Sequence, residues 1–309
     1  MTDTRRVLVT GASGFVGAPA LDELVRRGFD VHAVSRRLPA DGGADGVTWH
    51  EADLLDATAR GSLVGSVEAS HLLHLAWYAE PGAFWAAREN AGWVAATVGL
   101  LDEFAAAGGA RAVLAGTCAE YDWTAPQPLA EDAPLAPATY YGVCKDATRR
   151  VAEGLAGRAG LSLAWGRIFF LYGPREDERR LVAGVARALV AGERAPTSAG
   201  TQLRDFLHVD DVAGAFAALL DSTVQGAVNI ASGAAVSVRS IAEQLAQAAG
   251  RPDLLDVGAL PARAGEAAEI AADVARLRDE VGFTPGRSLA DGLADTVRWW
   301  RGELSRGRR

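Results

Sequence analysis

Val7-Leu8-Val9-Thr10-Gly11-Ala12-Ser13-Gly14-Phe15-Val16-Gly17 is the stretch that decides the fold class. An apolar run leads into three glycines spaced three residues apart, and a helical pattern over 18–27 follows. Strand, tight turn and helix in this order are typical of the opening of a dinucleotide-binding unit. We expect the first glycine to allow the turn, the second to admit a pyrophosphate, and the third to bring helix and strand together.

The start of the first helix is the expected phosphate site, because unpaired backbone N–H groups and the helix dipole favour an anion there. The turn residues therefore form the predicted cofactor site, together with the end of the fourth predicted strand at Leu75 and Ala76. The turn residues assigned to it are Gly11, Ser13, Gly14, Phe15, Val16 and Gly17.

Strand and helix patterns alternate over the first 170 residues, which predicts an α/β fold with a doubly wound parallel sheet. The predicted strands are 7–10, 31–35, 47–51, 69–76, 111–116 and 161–167, and the longest predicted helices are 80–107 and 139–158. We expect a Rossmann-type domain over 1–170 with a return segment at 200–231. A smaller C-terminal substrate lobe would comprise 171–199 and 232–309.

The less regular C-terminal part still contains recognisable elements. The predicted strands there are 204–208 and 227–230, and the predicted helices are 177–191, 210–220 with Asp210 as its N-cap, 237–249, 271–281 and 288–301.

The composition of the chain indicates which partners and ligands are not expected. The chain has 309 residues, a net charge of -8 and 49% hydrophobic residues, and it has no basic tract with interleaved aromatics, so we expect no nucleic-acid partner. No apolar run reaches the roughly 18 residues of a membrane span, so no membrane partner is expected. Cys118 and Cys144 lack metal-ligand spacing and the five histidines show none either, so we expect no metal and a cytoplasmic location.

Tyr141 and Lys145 form the strongest candidate for catalysis. Residues four apart share a helix face, and a lysine ammonium near a phenol favours phenolate and so lowers the phenol pKa. Such a phenol can donate a proton near neutral pH. Lys145 is the only lysine among 31 basic residues, which indicates a position where arginine cannot replace a compact ammonium.

Thr117 is the third candidate catalytic residue. It follows the fifth predicted strand, and the carboxyl ends of parallel strands face the ligand crevice of such sheets. We expect its hydroxyl to hydrogen-bond a substrate carbonyl beside Tyr141.

These motifs together resemble the extended short-chain dehydrogenase/reductase family, nearest to its nucleotide-sugar epimerase, dehydratase and reductase group. The stretches 167–174 (RIFFLYGP) and 204–213 (RDFLHVDDVA) resemble later motifs of the same group. The resemblance implies a Rossmann domain, a nicotinamide cofactor whose ribose binds Lys145, and a nucleotide-diphosphate sugar substrate. It also implies that Arg204 faces the nucleotide, that Arg263 faces the diphosphate, and that the two long helices pair in a homodimer.

Three departures from the group's motifs narrow the expected activity. Dehydratases of the group have Asp and Glu where this chain has Cys118 and Ala119, so both dehydration carboxylates are missing. Reductases that also epimerise have Cys and His where this chain has Ala119 and Arg175. The group often has Asn where this chain has Phe170, so one familiar diphosphate contact is absent from the sequence.

The end of the second predicted strand bears on cofactor choice. NAD enzymes of this type place Asp or Glu there to hold the ribose 2′-OH, whereas this chain has Ser35, Arg36 and Arg37. Serine and arginine favour a 2′-phosphate, so we expect NADP. Asp53 resembles the family's adenine contact and is assigned to the cofactor site with Leu54, although an aspartate there could equally cap a turn.

The leading hypothesis is an NADPH-dependent ketoreductase acting on a nucleotide-diphosphate 4-keto-6-deoxyhexose in deoxysugar biosynthesis. Tyr141 would protonate the developing alkoxide and Thr117 would position the carbonyl. The first alternative is an NAD-dependent nucleotide-sugar 4-epimerase with the same three residues. The second is a regulator that binds NADP without catalysis, which the intact Thr117, Tyr141 and Lys145 set disfavours.

Overall fold

The computed structural model describes residues 5–40, 42–262 and 265–306. The strands in chain order are β1 (Arg6–Thr10), β2 (Asp30–Ser35), β3 (Val47–Glu51), β4 (His71–His74), β5 (Arg111–Thr117), β6 (Ser162–Ile168), β7 (Phe170–Tyr172), β8 (Ala195–Thr197), β9 (Leu203–His208), β10 (Gly226–Ile230), β11 (Ala235–Ser237), β12 (Leu255–Val257) and β13 (Glu269–Ile270). The α-helices are α1 (Gly17–Arg26), α2 (Ala57–Val67), α3 (Glu89–Ala106), α4 (Tyr140–Ala159), α5 (Leu181–Ala191), α6 (Val209–Asp221), α7 (Val238–Ala249) and α8 (Leu289–Arg306).

A seven-stranded parallel sheet forms the centre of the fold, in the order β10-β6-β5-β4-β1-β2-β3. The edge strand β3 is partly exposed, whereas the central strand β5 is buried at all seven of its residues. Because every strand of this sheet is parallel, their carboxyl ends meet at one edge, where ligands bind in open α/β sheets. The predicted Rossmann-type fold class is confirmed.

Helices cover both faces of this sheet. On one face α1 packs beside α6, and the apolar core there includes Leu24 and Phe216. On the other face α3 packs beside α4 and α2, around Leu100, Phe104 and Trp165. In the part of the chain that the structure describes, no helix combines the length and the apolar character that crossing a membrane requires.

A second apolar core lies in the C-terminal half. Helices α5, α7 and α8 pack against one another there, and Leu189, Leu245 and Val297 are among the buried residues. Beside it, β9 pairs with β7 and β13 in parallel and with β11 in antiparallel orientation. These short strands carry the loops that border the end of the large sheet.

Four sequence predictions need correction. The helix predicted over 80–107 begins only at Glu89, and residues 81–86 form turns. The helix predicted over 271–281 is reduced to a short π-helical turn at Arg276–Glu280, since Ala271 N–H and Ala272 N–H donate to the Gln127 and Asp205 side chains instead. The helix predicted over 177–191 begins at Leu181, and the side chain of His208, rather than Asp210, caps α6.

Candidate active site

The glycine turn leaves no room for side chains. Gly11 has φ +68°, and a Cβ there would lie 2.7 Å from the Ala76 nitrogen. A Cβ at Gly17 would lie 2.1 Å from the Gly11 carbonyl oxygen, so helix α1 packs directly on the turn. This arrangement fits the cradle that a dinucleotide pyrophosphate requires.

The N-terminus of α1 opens onto the same cradle. Its N-cap residue is Val16, whose side chain makes no capping hydrogen bond to the N–H groups of the first helical turn. Ser13 and Gly14 are exposed, whereas Phe15 is half-buried. Accessible N–H groups at a helix N-terminus suit a phosphate, so this geometry is compatible with the predicted role of the turn residues.

The end of β2 presents two cationic side chains. Arg36 and Arg37 are exposed, and the Ser35 hydroxyl donates a hydrogen bond to the Arg37 carbonyl. The exposed Asp53 carboxylate accepts a hydrogen bond from Leu55 N–H at 3.0 Å, so in this structure it caps its own turn. Leu54 is buried.

Thr117 and Tyr141 come together at the carboxyl edge of the sheet. Thr117 is the last residue of β5, and a Cβ at Gly142 would lie 2.3 Å from the Ala119 carbonyl oxygen, so the start of α4 packs on the turn after Thr117. Burial raises the pKa of the Tyr141 phenol, and hydrogen bonding to Thr117 acts in the opposite direction. The phenol is therefore neutral at pH 7 and able to donate a proton.

Lys145 lies behind Tyr141 and is 4% exposed. Its Nζ donates to the Ala115 carbonyl at 2.8 Å and lies 3.8 Å from the centre of the Trp77 ring. Burial lowers the Lys145 pKa to about 7 and Glu120 opposes the shift. Burial has the largest effect on the Tyr141 pKa in this structure, and the lowering of that pKa by Lys145 stays a prediction.

Aromatic side chains from the segment after β4 surround Tyr141, and sequence reasoning missed them. Phe84 and Trp85 meet the Tyr141 ring edge-on, with ring centres 5.0 and 5.9 Å apart. Asn90 holds the segment by donating to the Phe84 carbonyl at 2.8 Å and by accepting from Trp77 Nε1. The Pro81-Gly82 pair, which interrupts the predicted helix, is the sequence signal that could have revealed it.

Glu120 is a second residue that the sequence did not single out. It is fully buried, and its carboxylate accepts hydrogen bonds from Thr117 N–H, Trp165 Nε1 and Arg167 Nε, each at 2.9 Å. Together with the Thr117 hydroxyl it forms a capping box on the short 3-10 turn Cys118–Glu120. Glu120 thus fixes the peptide that presents Thr117 to Tyr141, and the spacing of a capping box is visible in the sequence.

The residues predicted to contact substrate have different placements. Arg204 is 4% exposed, donates to Glu266 at 3.0 Å, and has its guanidinium 5.5 Å from the Phe170 ring centre. Arg263 lies outside the described residues.

Cys118 packs with apolar neighbours, and burial raises its pKa to about 12, so its thiol is inert at neutral pH.

His208, Asp210 and Asp295 form a cluster with metal-ligating side chains. Arg287 donates to Asp210 at 2.8 Å and Arg298 donates to Asp295 at 3.0 Å, so each carboxylate already has a cationic partner. We assign the cluster no metal.

The comparison with known families decides the identity. Residues 7–231 match the model of the NAD dependent epimerase/dehydratase family. The chain belongs to this family. The resemblance to extended short-chain dehydrogenases/reductases that act on nucleotide sugars is thereby confirmed.

Relatives of this epimerase/dehydratase-family chain cover nearly its whole length. The dTDP-glucose 4,6-dehydratase of Streptomyces griseus is 30% identical over 96% of this chain and 94% of its own. The UDP-glucose 4-epimerase of Corynebacterium glutamicum is 28% identical over 91% of each chain. The solved structure of MoeE5 in complex with UDP-glucuronic acid and NAD is 33% identical, with a TM-score of 0.83 over 97% of this chain and 100% of that chain.

These comparisons change the ranking of the hypotheses. They support a nucleotide-sugar epimerase or dehydratase, and they favour the 4-epimerase alternative over the ketoreductase that the sequence placed first. They also support a nicotinamide dinucleotide as the cofactor of this family member, without favouring NADP over NAD.

Proposed function

We propose that this family member is a nicotinamide-dependent 4-epimerase of a nucleoside-diphosphate sugar. The observation that carries the proposal is the meeting of Thr117 and Tyr141 at the sheet edge, beside a turn that lacks the dehydration carboxylates. Its 4-epimerase relatives give additional support.

The proposed chemistry needs a hydride to leave C4 of the sugar and a proton to leave the C4 hydroxyl, which gives a 4-keto sugar. The hydride then returns to the opposite face of C4 and the proton returns to the oxygen. A bound nicotinamide dinucleotide supplies the hydride acceptor and donor. In its phenolate form, Tyr141 takes the proton from the C4 hydroxyl, and as the phenol it gives the proton back to the oxygen, while Thr117 hydrogen-bonds the same oxygen. The positive charge of a bound oxidised nicotinamide would favour the phenolate against the effect of burial. Lys145 would contact the cofactor ribose, and in its protonated form it supplies positive charge behind the phenol.

Dehydration is disfavoured by the groups beside Thr117. Loss of water from C5 and C6 needs an acid and a base, and the places that dehydratases use hold Cys118 and Ala119. The nearest carboxylate in sequence, Glu120, is bound by Arg167 and Trp165 and has no free oxygen for substrate.

The activity test starts from purified protein with NAD or NADP and a pair of C4-epimeric nucleotide sugars. We expect interconversion of the two sugars with no net change in cofactor absorbance. Net oxidation of NADPH by a nucleotide 4-keto sugar, with a two-hydrogen mass gain in the sugar, would replace the epimerase by the ketoreductase.

The ketoreductase remains the second candidate because two observations favour it. Burial keeps the Tyr141 phenol neutral, which is the form that protonates an alkoxide during reduction. Ser35 and Arg36 stand where an NAD-retaining epimerase of this type has a carboxylate.

We propose that the protein prefers NADP to NAD. Substitution of Arg36 tests this preference directly. A well-placed charge-assisted hydrogen bond contributes on the order of 1.5–3 kcal/mol, so we expect NADP to bind at least about ten-fold more tightly than NAD. Arg36→Ala should remove most of this preference, and Arg26→Ala, which changes another exposed arginine, should preserve it. Equal dissociation constants for the two cofactors in titrations of the unchanged protein would contradict the assignment.

We also propose that 171–199 and 232–309 bind the nucleotide sugar in a cytoplasmic homodimer. Support for a dimer comes from the exposed face of α3 and α4, which includes Ala95 and Val151, whereas Ala96 and Leu100 belong to the protomer's own core. A monomer mass by light scattering at micromolar concentration would refute the dimer.

A further inference from the structure

Arg180 is a cation without a partner at the border of the site. Its neighbour Arg179 pairs with Glu80 and Asp177, at 2.6 and 2.7 Å. Among residues 5–40, 42–262 and 265–306, by contrast, no carboxylate lies within salt-bridge distance of the half-buried Arg180 guanidinium. A guanidinium that is still accessible and has no internal ion partner can bind an anionic group of a ligand.

The position of Arg180 places this charge beside Tyr141. Its guanidinium lies 5.8 Å from the centre of the Phe84 ring, and Phe84 in turn contacts the Tyr141 ring edge-on. The positive charge of Arg180 also acts on Tyr141 directly, by lowering the phenol pKa against the effect of burial. Phe84 is held by Asn90, so the aromatic surface under the guanidinium is fixed.

Glu176 is the carboxyl group that could have neutralised Arg180, and it does not. It is 5% exposed, and its Oε2 has no hydrogen-bond partner among the described residues. Burial raises its pKa to about 8, so Glu176 is mostly neutral at pH 7. The charge of Arg180 is therefore available to a ligand, and a buried carboxylic acid lies next to it.

We propose that Arg180 binds a carboxylate on C5 of the sugar ring, so that the substrate is a nucleotide uronate. This inference rests on the proposed C4 chemistry, because it takes Tyr141 to mark the position of C4. The C6 carbon is attached to C5, next to C4, so a group that recognises the C6 substituent must lie beside Tyr141. A planar guanidinium fork matches a carboxylate and offers little to a C6 hydroxyl or methyl group.

The test uses calorimetry to measure equilibrium binding of UDP-glucuronate and UDP-glucose to the cofactor-loaded protein. The same measurement is made with the two sugars carried on thymidine diphosphate. We expect the uronate to bind at least about ten-fold more tightly than the neutral sugar. Arg180→Met should reduce uronate affinity to that of the neutral sugar and leave neutral-sugar affinity unchanged. Arg179→Met is the matched control and should preserve the preference, and Arg180→Lys should retain part of it.

Two results of the binding experiment would overturn the proposal. One is the absence of any uronate preference in the unchanged protein. The other is an equal loss of affinity for both sugars in Arg180→Met, which would place Arg180 on the diphosphate. A clear uronate preference without turnover would support uronate binding by Arg180 and refute the proposed epimerase function. Epimerisation of neutral sugars alone would support the epimerase function and refute uronate binding by Arg180.

Glu176 adds a pH dependence with a defined sign. As the pH rises through about 8, Glu176 ionises, Arg180 acquires an internal counter-ion, and the uronate preference should fall. The charged groups that act on Glu176 are Arg180, which lowers its pKa, and Asp177, which raises it. Glu176→Gln should keep the preference at pH 9, and a preference in the unchanged protein that is equal at pH 6.5 and 9 would overturn the part played by Glu176.

Discussion

Tyr141→Phe is expected to lower kcat by about 10²–10⁴-fold, the range that general acid–base catalysis supplies. The substitution keeps the ring that packs against Phe84 and Trp85 and removes only the hydroxyl that meets Thr117. Cofactor affinity, measured by titration, should be unchanged. The loss is expected for epimerisation and for ketone reduction alike, since both move a proton at C4.

Tyr140→Phe is the matched control for this prediction. Tyr140 precedes Tyr141 in the same helix turn but is 43% exposed, so its hydroxyl lies outside the proposed site. We expect the kcat of the Tyr140→Phe variant to equal that of the unchanged protein. Full activity in Tyr141→Phe would mean that the proton is moved by another group and that the site is misplaced.

Glu120→Ala is expected to lower the free energy of unfolding by about 3–5 kcal/mol, the usual cost of removing one partner from a buried ion pair. The Glu120 and Arg167 side chains are 0% and 2% exposed, so the substitution leaves a buried guanidinium without its carboxylate. It also leaves Thr117 N–H and Trp165 Nε1 without their acceptor. Urea denaturation followed by circular dichroism measures the change.

An exposed ion pair provides the comparison. Asp102 pairs with Arg158, and the two side chains are 59% and 74% exposed. Asp102→Ala should therefore change the unfolding free energy by no more than about 1 kcal/mol. If Glu120→Ala were as mild as Asp102→Ala, the buried network would not be what holds the turn after Thr117.

The parts of the site that the sequence predicted are those with local signals. The spacing of the glycines predicted the turn between β1 and α1, and the Tyr-x3-Lys spacing predicted that Tyr141 and Lys145 share α4. Both patterns depend on residues close together in the chain. Parallel-strand topology then predicted that Thr117 would lie at the same edge, and the structure brings it to Tyr141.

The parts that the sequence did not predict depend on contacts between distant segments. Alanine-rich composition favoured a helix from residue 80, but residues 81–86 fold as turns beneath Tyr141, and Trp85 accepts a hydrogen bond from Tyr141 N–H. Long-range hydrogen bonds to Gln127 and Asp205 likewise override the helical pattern at 271–281. Tertiary contacts of this kind outweigh intrinsic propensity, and no local pattern reports them.

The strand order of the large sheet also affects how the protein folds during synthesis and which fragments of it can be soluble. Strand β6 ends at Ile168, yet its outer neighbour β10 begins only at Gly226, after the chain has passed through α5 and β9. During synthesis the outer edge of β6 therefore remains open until residue 230 has been translated, and an open strand edge is a template for aggregation. A fragment cut between β6 and β10 would carry that open edge permanently, so the dinucleotide-binding half should be insoluble when expressed without the return segment.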